Sequence, residues 1–212
     1  MRPIRQSYIP TALDADAIAL SQTPGAAGAL TLSGANVVNG VAVLGAAQYI
    51  TVTSAANLSA RTFTITGTDS QGRARTVTLT GPNATTVATT VPLNNISSIT
   101  IDAAAAGALT VGVNGQGFSP VIPLDYNRRD ESTAIAVVIS GSPTYTLQHT
   151  FDDVQSAAYD PATGTWFDHD DATMNAATTN QNGNFVAPCT GCRVLLASSS
   201  GGVITTVIQQ GV

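Results

Sequence analysis

The side chains able to do chemistry are few in this chain, and they gather toward its C-terminal half. Cys189-Thr190-Gly191-Cys192 has the CxxC spacing of a redox dithiol or of half a zinc site. Thioredoxin-type chemistry sets the first cysteine at a helix N-terminus, where the dipole lowers its pKa. Here Arg193-Val194-Leu195-Leu196 follows and reads as strand, so the motif predicts two free thiols. A zinc ion would need two more ligands, and His149 and His169 lack the local spacing of a finger. In a reducing cytoplasm a disulfide between the cysteines would not form.

Asp168-His169-Asp170-Asp171, with Asp152-Asp153 nearby in sequence, is the dense acidic patch. Asp168, Asp170 and Asp171 are the oxygens a calcium ion would take, since calcium gathers six to eight such ligands. The run lacks the glycine and the distal glutamate of an EF-hand loop, so a solvated or arginine-paired loop is expected, with no metal and no cofactor. Two carboxylates beside Trp166 and Phe167 also raise glycoside hydrolysis, which needs one acid of raised pKa and an aromatic platform. In an extended chain Trp166 and Asp168 would share a face. Trp166 reads instead as a core or interface anchor. With no Gly-x-Ser-x-Gly, P-loop or His-Glu-x-x-His motif, the chain is not expected to be an enzyme.

The elements that must position these residues are legible in composition. The 212 residues include no lysine, eight arginines, twelve aspartates and one glutamate, Glu131, against 30 threonines and 19 glycines. Exposed helix faces need long, straight side chains that lose little rotamer freedom, and these are nearly absent. Thr, Val and Ile fit a pleated surface, so the fold class is all-β. A net charge of −5 gives no basic face for nucleic acid and nothing to hold an anionic membrane. No segment is apolar enough to span a bilayer. Arg2 and Arg5 make a basic start, but Pro3, Pro10, Asp14 and Asp16 interrupt the apolar run of a secretory leader.

Residues 1–28 carry five Pro and Gly residues and little periodicity, which predicts an extended N-terminal arm ordered by a partner or by the body of the protein. Residues 29–117 predict a small β-sandwich. Its clearest unit is the hairpin Arg61–Gly81, where Thr62, Thr64 and Thr66 alternate with Phe63 and Ile65 before the turn Asp69-Ser70-Gln71-Gly72. Arg73 and Arg75 are expected on its solvent side. Further strands are expected at Ala29–Ser33, Gln48–Thr53, Thr85–Val91, Ser98–Asp102 and Ala108–Val113, with Pro92-Leu93-Asn94-Asn95 as a turn. Aromatic residues become frequent after Gly115-Gln116-Gly117-Phe118-Ser119-Pro120, placing a boundary there. Residues 118–212 predict a second β domain, sandwich- or jelly-roll-like, whose long acidic and aromatic loop at 152–188 is of functional length.

The runs Ile50–Asp69 and Thr80–Val87 resemble a β-domain recurrent in tailed-bacteriophage virion proteins. The runs Pro143–Val154, Asp160–Phe167 and Thr205–Gly211 are similar to a second phage module. The resemblance implies a structural virion protein without a catalytic motif, assembled in the host bacterial cytoplasm. The expected role is a capsid decoration (cement) protein that forms a homo-oligomer, a trimer by preference, on the major capsid protein. A head–tail, tail or fibre-base component of the virion, or a carbohydrate-binding module using Trp166 and Tyr159, are the alternatives. Arg2, Arg5, Tyr8, Trp166 and Phe167 are the expected interface residues, the first two reaching a neighbouring subunit through the arm.

Overall fold

The computed structural model describes residues 3–125 and 133–210. Arg2, Tyr126 and Glu131 lie outside the described residues. The N-terminal segment supplies β1 (Ile4–Tyr8) and β2 (Asp14–Gln22). The first half of the chain continues through β3 (Gly28–Ala29), β4 (Val37–Val38), β5 (Val41–Ser54), β6 (Thr62–Thr68), β7 (Ala74–Thr80), β8 (Thr86–Ala88), β9 (Leu93–Ile101) and β10 (Leu109–Phe118). The second half holds β11 (Ile122–Pro123), β12 (Thr133–Ile139), β13 (Thr144–Thr150), β14 (Phe167–Asp168), β15 (Gln181–Phe185), β16 (Gly191–Ser198) and β17 (Ile204–Gln210), with one 3-10 turn at Ala172–Met174. The fold is all-β, as the threonine- and valine-rich composition requires.

The strands form two antiparallel sheets. The smaller runs β1-β17-β12-β15. The larger follows β14-β13-β16-β10-β5-β9-β6-β7, with β2 on β10, β11 on β16, β3 on β9, and β4 and β8 on β5. Buried side chains gather into two clusters. One runs from Ile18 to Val113 and includes Leu44, Ile50, Phe63, Ile65, Ile99 and Leu109. The other combines Tyr8 and Ala46 with residues between Ile122 and Ile208, among them Tyr145, Leu147, Cys192 and Val194. The clusters thus divide near residue 118, yet β10 passes through the division. Leu109–Val113 pair with β5 and β2, while Gly117 and Phe118 pair with β5 on one side and with Leu196 and Leu195 of β16 on the other.

Three sequence expectations are corrected by this arrangement and one is narrowed. Of the two expected ways of ordering the N-terminal segment, the structure shows the body of the protein: Ile4–Tyr8 pair with β17 and part of Asp14–Gln22 pairs with β10 of the same chain. The pattern of β2 hides this: Ala17, Ile18 and Ala19 are buried in succession, and the β2–β10 register shifts twice. Leu93, Asn94 and Asn95 belong to β9 rather than to a turn, with Leu93 fully buried. Of Ala29–Ser33 only Ala29 is strand, the rest being held by isolated bonds such as Leu30 N–H to the Ile99 carbonyl, 2.8 Å. Arg73 and Arg75 do not point away from the body. Arg75 shares strand parity with the buried Val77 and Leu79, and its guanidinium lies 2.5 Å from Asp160 Oδ1 in the second half.

The β6–β7 hairpin itself has the expected form. Seven consecutive pairs, from Thr62↔Thr80 to Thr68↔Ala74, run without a register shift. Phe63, Ile65, Val77 and Leu79 bury their side chains, each contributing about 1.5–3 kcal/mol. The threonines occupy the opposite, wetter face. At the tip, the buried Asp69 carboxylate accepts from the Gln71 and Arg73 backbone N–H groups and pairs with Arg73 and Arg75. Arg73 also donates to the Tyr159 carbonyl, and Gln71 Oε1 accepts from the Val121 N–H at 3.1 Å. The turn therefore clamps the first half onto the second.

Candidate interaction surface

The expected site residues fall around β14, the short strand that ends the larger sheet. β14 pairs with β13, placing Asp168 opposite Gln148 and Phe167 opposite His149. β13 pairs with β16, placing Gln148 opposite Arg193 and His149 opposite Cys192. Cross-strand partners project from the same side of a sheet, so two rows of side chains result, one on each face.

The first row is Asp168, Gln148 and Arg193. Gln148 Nε2 donates to Asp168 Oδ1 at 2.8 Å, and Arg193 Nε donates to Gln148 Oε1 at 2.9 Å. A second Arg193 nitrogen donates to the Pro161 carbonyl at 2.7 Å. The guanidinium lies between two rings, 4.3 Å from the Phe118 centroid and 4.0 Å from that of Trp166. Trp166 Nε1 donates to the same Pro161 carbonyl at 3.3 Å. Burial pulls the Arg193 pKa down to about 10, which leaves it charged at neutral pH. Trp166 and Asp168 do share one side, as alternation in an extended chain predicts. One Trp166 ring face is occupied by Arg193, so this tryptophan clamps the 152–166 loop to the sheet.

The second row opens between the two sheets. The His149 ring stands edge-on to Phe151 at 5.4 Å and lies 5.8 Å from Phe167 and 5.5 Å from Phe185 of β15. The His169 ring centroid lies 5.0 Å from that of Phe185. Both imidazoles are buried, and among the described residues His149 Nδ1 and His169 Nε2 have no hydrogen-bond partner. Burial lowers the pKa of His149, and nearby His169 adds to this while the charge of Asp170 opposes it. Above this buried layer Phe151 and Phe167, 5.8 Å apart, are 52% and 47% exposed. Val186, next in chain to Phe185, is 83% exposed.

The acidic residues along the segment each have a local task or face solvent. Asp152 Oδ2 accepts from the Thr165 N–H at 2.6 Å, and Asp171 caps the 3-10 turn through Thr173 N–H and Oγ1. The Asp171 pKa is lowered by those two bonds. Asp168 is engaged by Gln148, and Asp170 is exposed. Among the described residues no three His, Cys, Asp or Glu side chains converge to hold a metal ion. Both cysteines are free and buried. Burial raises the Cys189 thiol to about 11 and raises Cys192 further, the reverse of a redox-active thiolate.

Of the expected interface residues, Phe167 is exposed on this surface, and Trp166 is half-buried against Arg193. Tyr8 is in the second core, 7% exposed, because Tyr8 on β1 faces inward opposite Ile204. Arg5 is exposed on β1, opposite Val207 and remote in sequence from the patch. Sequence reading missed Phe151, His149 and Phe185 as a group. The signal available was the alternation Leu147-His149-Phe151 along a strand, which lines up three apolar or aromatic side chains on one face. No family model matches this chain, and no curated protein matches it.

Proposed function

We propose that the protein is a non-enzymatic structural component of a tailed-bacteriophage virion, acting as a capsid decoration (cement) subunit on the major capsid protein. The observation that carries this reading is an exposed aromatic surface, Phe151 and Phe167, mounted on a rigid body of two joined β cores. Contiguous exposed aromatic area is costly to leave in water and marks a surface meant for another protein. The resemblance of the Ile50–Asp69 and Pro143–Val154 runs to virion modules supplies the kind of partner.

Such a protein works through area and geometry rather than through a reaction. Each Å² of apolar surface covered contributes ~25 cal/mol before association costs are subtracted. Copies bound across a regular lattice reinforce one another, since each restrains the shell its neighbours bind. A homo-oligomer, a trimer by preference, suits attachment at a symmetric capsid position. The clamp between the β6–β7 turn and the acidic loop joins the two cores through Arg73, Arg75, Tyr159 and Asp160.

Copy number per purified particle, measured by quantitative mass spectrometry beside the solution mass of the recombinant protein, tests the reading. A number matching the capsid lattice is the expected result. A number matching a single ring would move the protein to the neck or tail, and absence from particles would overturn the structural reading.

A further inference from the structure

The Phe151–Phe167 surface has a charged rim of one sign. Asp152 and Asp153 follow Phe151 directly, and Asp168, Asp170 and Asp171 follow Phe167. Asp153, Asp168, Asp170 and Asp171 are exposed. None of the five is in an ion pair among the described residues, whose pairs involve Asp69, Asp102 and Asp160. Arg193, the nearby cation, is committed to Gln148, Pro161 and its two flanking rings. Asp168 projects to the opposite sheet face and is bonded to Gln148, while Asp152 and Asp171 accept from Thr165 and Thr173, so the surface combines exposed aromatic rings with the exposed carboxylates of Asp153 and Asp170, which have no cation of their own among the described residues.

We propose that this surface docks an arginine-bearing segment of a partner protein, with guanidinium groups laid on the Phe151 and Phe167 rings and bonded to the adjoining aspartates. Arginine fits better than lysine for two reasons. Its flat, weakly hydrated guanidinium stacks on an aromatic face while its edge still donates hydrogen bonds, whereas an ammonium is a hydrated point charge. Its forked donors also match a carboxylate bidentately. The molecule uses the same chemistry internally, where Arg193 is stacked between Phe118 and Trp166 and donates from its edge to oxygen acceptors. An acidic partner would meet the carboxylates of Asp153 and Asp170, and a wholly apolar one would leave those charges desolvated without compensation. The inference names the partner chemistry for the structural role proposed above and rests on that role for the existence of a partner.

Trp166 stacks on Arg193 at the opposite sheet face, so binding is read by titration calorimetry rather than by its emission. The test titrates the full chain with a capped peptide alternating arginine and valine, and with the same peptide carrying lysine or glutamate in place of arginine. Saturable heat of binding with the arginine peptide, weaker with lysine and absent with glutamate, is expected. Phe151→Ala/Phe167→Ala should weaken binding by roughly ten-fold or more. Asp153→Asn/Asp170→Asn should weaken it and flatten its dependence on salt. These positions are solvent-exposed, and an unchanged thermal melt verifies that each variant folds. Equal response to the glutamate peptide, no saturable response to arginine, or undiminished binding by the Phe variant would overturn the proposal. Self-association abolished by the Phe variant, in place of peptide binding, would assign the surface to a second copy and also overturn it. Presence on particles is measured separately, so a protein found in virions whose surface ignores arginine refutes this inference alone.

Discussion

Arg193 shows how one side chain can organise a region. Its charge is buried, which is tolerable because two oxygens accept its N–H groups and two rings cover its faces. Lysine retains the charge but cannot bond Gln148 and Pro161 from one plane while stacked between rings. Arg193→Lys is therefore expected to lower the unfolding free energy by about 2 kcal/mol, read from urea midpoints, with Trp166 emission shifting to the red as its ring loses its cover. Cys189 and Cys192 illustrate the opposite case, in which a suggestive motif is silenced by its surroundings. Burial raises both thiols, so neither is a thiolate near neutral pH. Alkylation of the native protein at pH 8 should be slow, becoming rapid and two-fold in stoichiometry only in denaturant. Fast labelling of the folded chain would show that the β16 entrance opens.

At the scale of elements, the β6–β7 turn is a joint as much as a hairpin end. Asp69 is buried and holds the turn's N–H groups together with Arg73 and Arg75, which reach on to Tyr159 and Asp160. The Asp160 carboxyl, although partly buried, sits below its ordinary pKa because the Arg75 hydrogen bond, the Ala162 N–H and the charges of Arg75 and Arg73 outweigh desolvation. Asp69→Ala leaves two guanidinium groups without their shared acceptor and should cost about 3 kcal/mol by chemical denaturation. Strand β13 gives a different dependence. Burial lowers His149's pKa, so below its ordinary value of about 6.5 the unfolded chain takes up a proton that the folded chain refuses. Stability should fall as pH drops from 6.5 toward the lowered value, and His149→Leu should make the urea midpoint flatter across that interval. The hairpin is legible in sequence because strict alternation and an Asp-x-x-Gly turn need no distant partner to interpret them. Strand β2 is not legible, since three successive buried residues on a bulged register break the alternation. The aromatic surface was half legible. Phe167 and the acidic run stand out locally, whereas Phe185 reaches His149 only because β15 of the smaller sheet packs against β13 of the larger one.

The described residues build two cores along one long sheet, the second core closed by the smaller sheet, and composition can find the cores without finding the sheet. The rise in aromatic residues near residue 118 marks where one buried cluster gives way to the other. It does not reveal that β10 continues through that point, because Asn114-Gly115-Gln116-Gly117 reads as a linker when only local preference is considered. In the fold Gly117 is there for close approach: a Cβ on it would come within 1.9 Å of the Ala47 carbonyl oxygen, so the β5–β10 pairing tolerates no side chain at that point. Downstream, Phe118 joins β16 and covers Arg193, while the β6–β7 turn adds a second bridge through Asp69, Arg75 and Asp160. Two bridges of this kind couple the cores, so calorimetry of the wild type should show one cooperative transition. Gly117→Val forces Ala47 and Phe118 apart and weakens the continuous-sheet bridge. It should lower the transition by several degrees and separate it into two, the second core melting first because Phe118 and Arg193 lose their contact. Two transitions already present in the wild type would show instead that the cores fold independently and that β10 is only a tether between them.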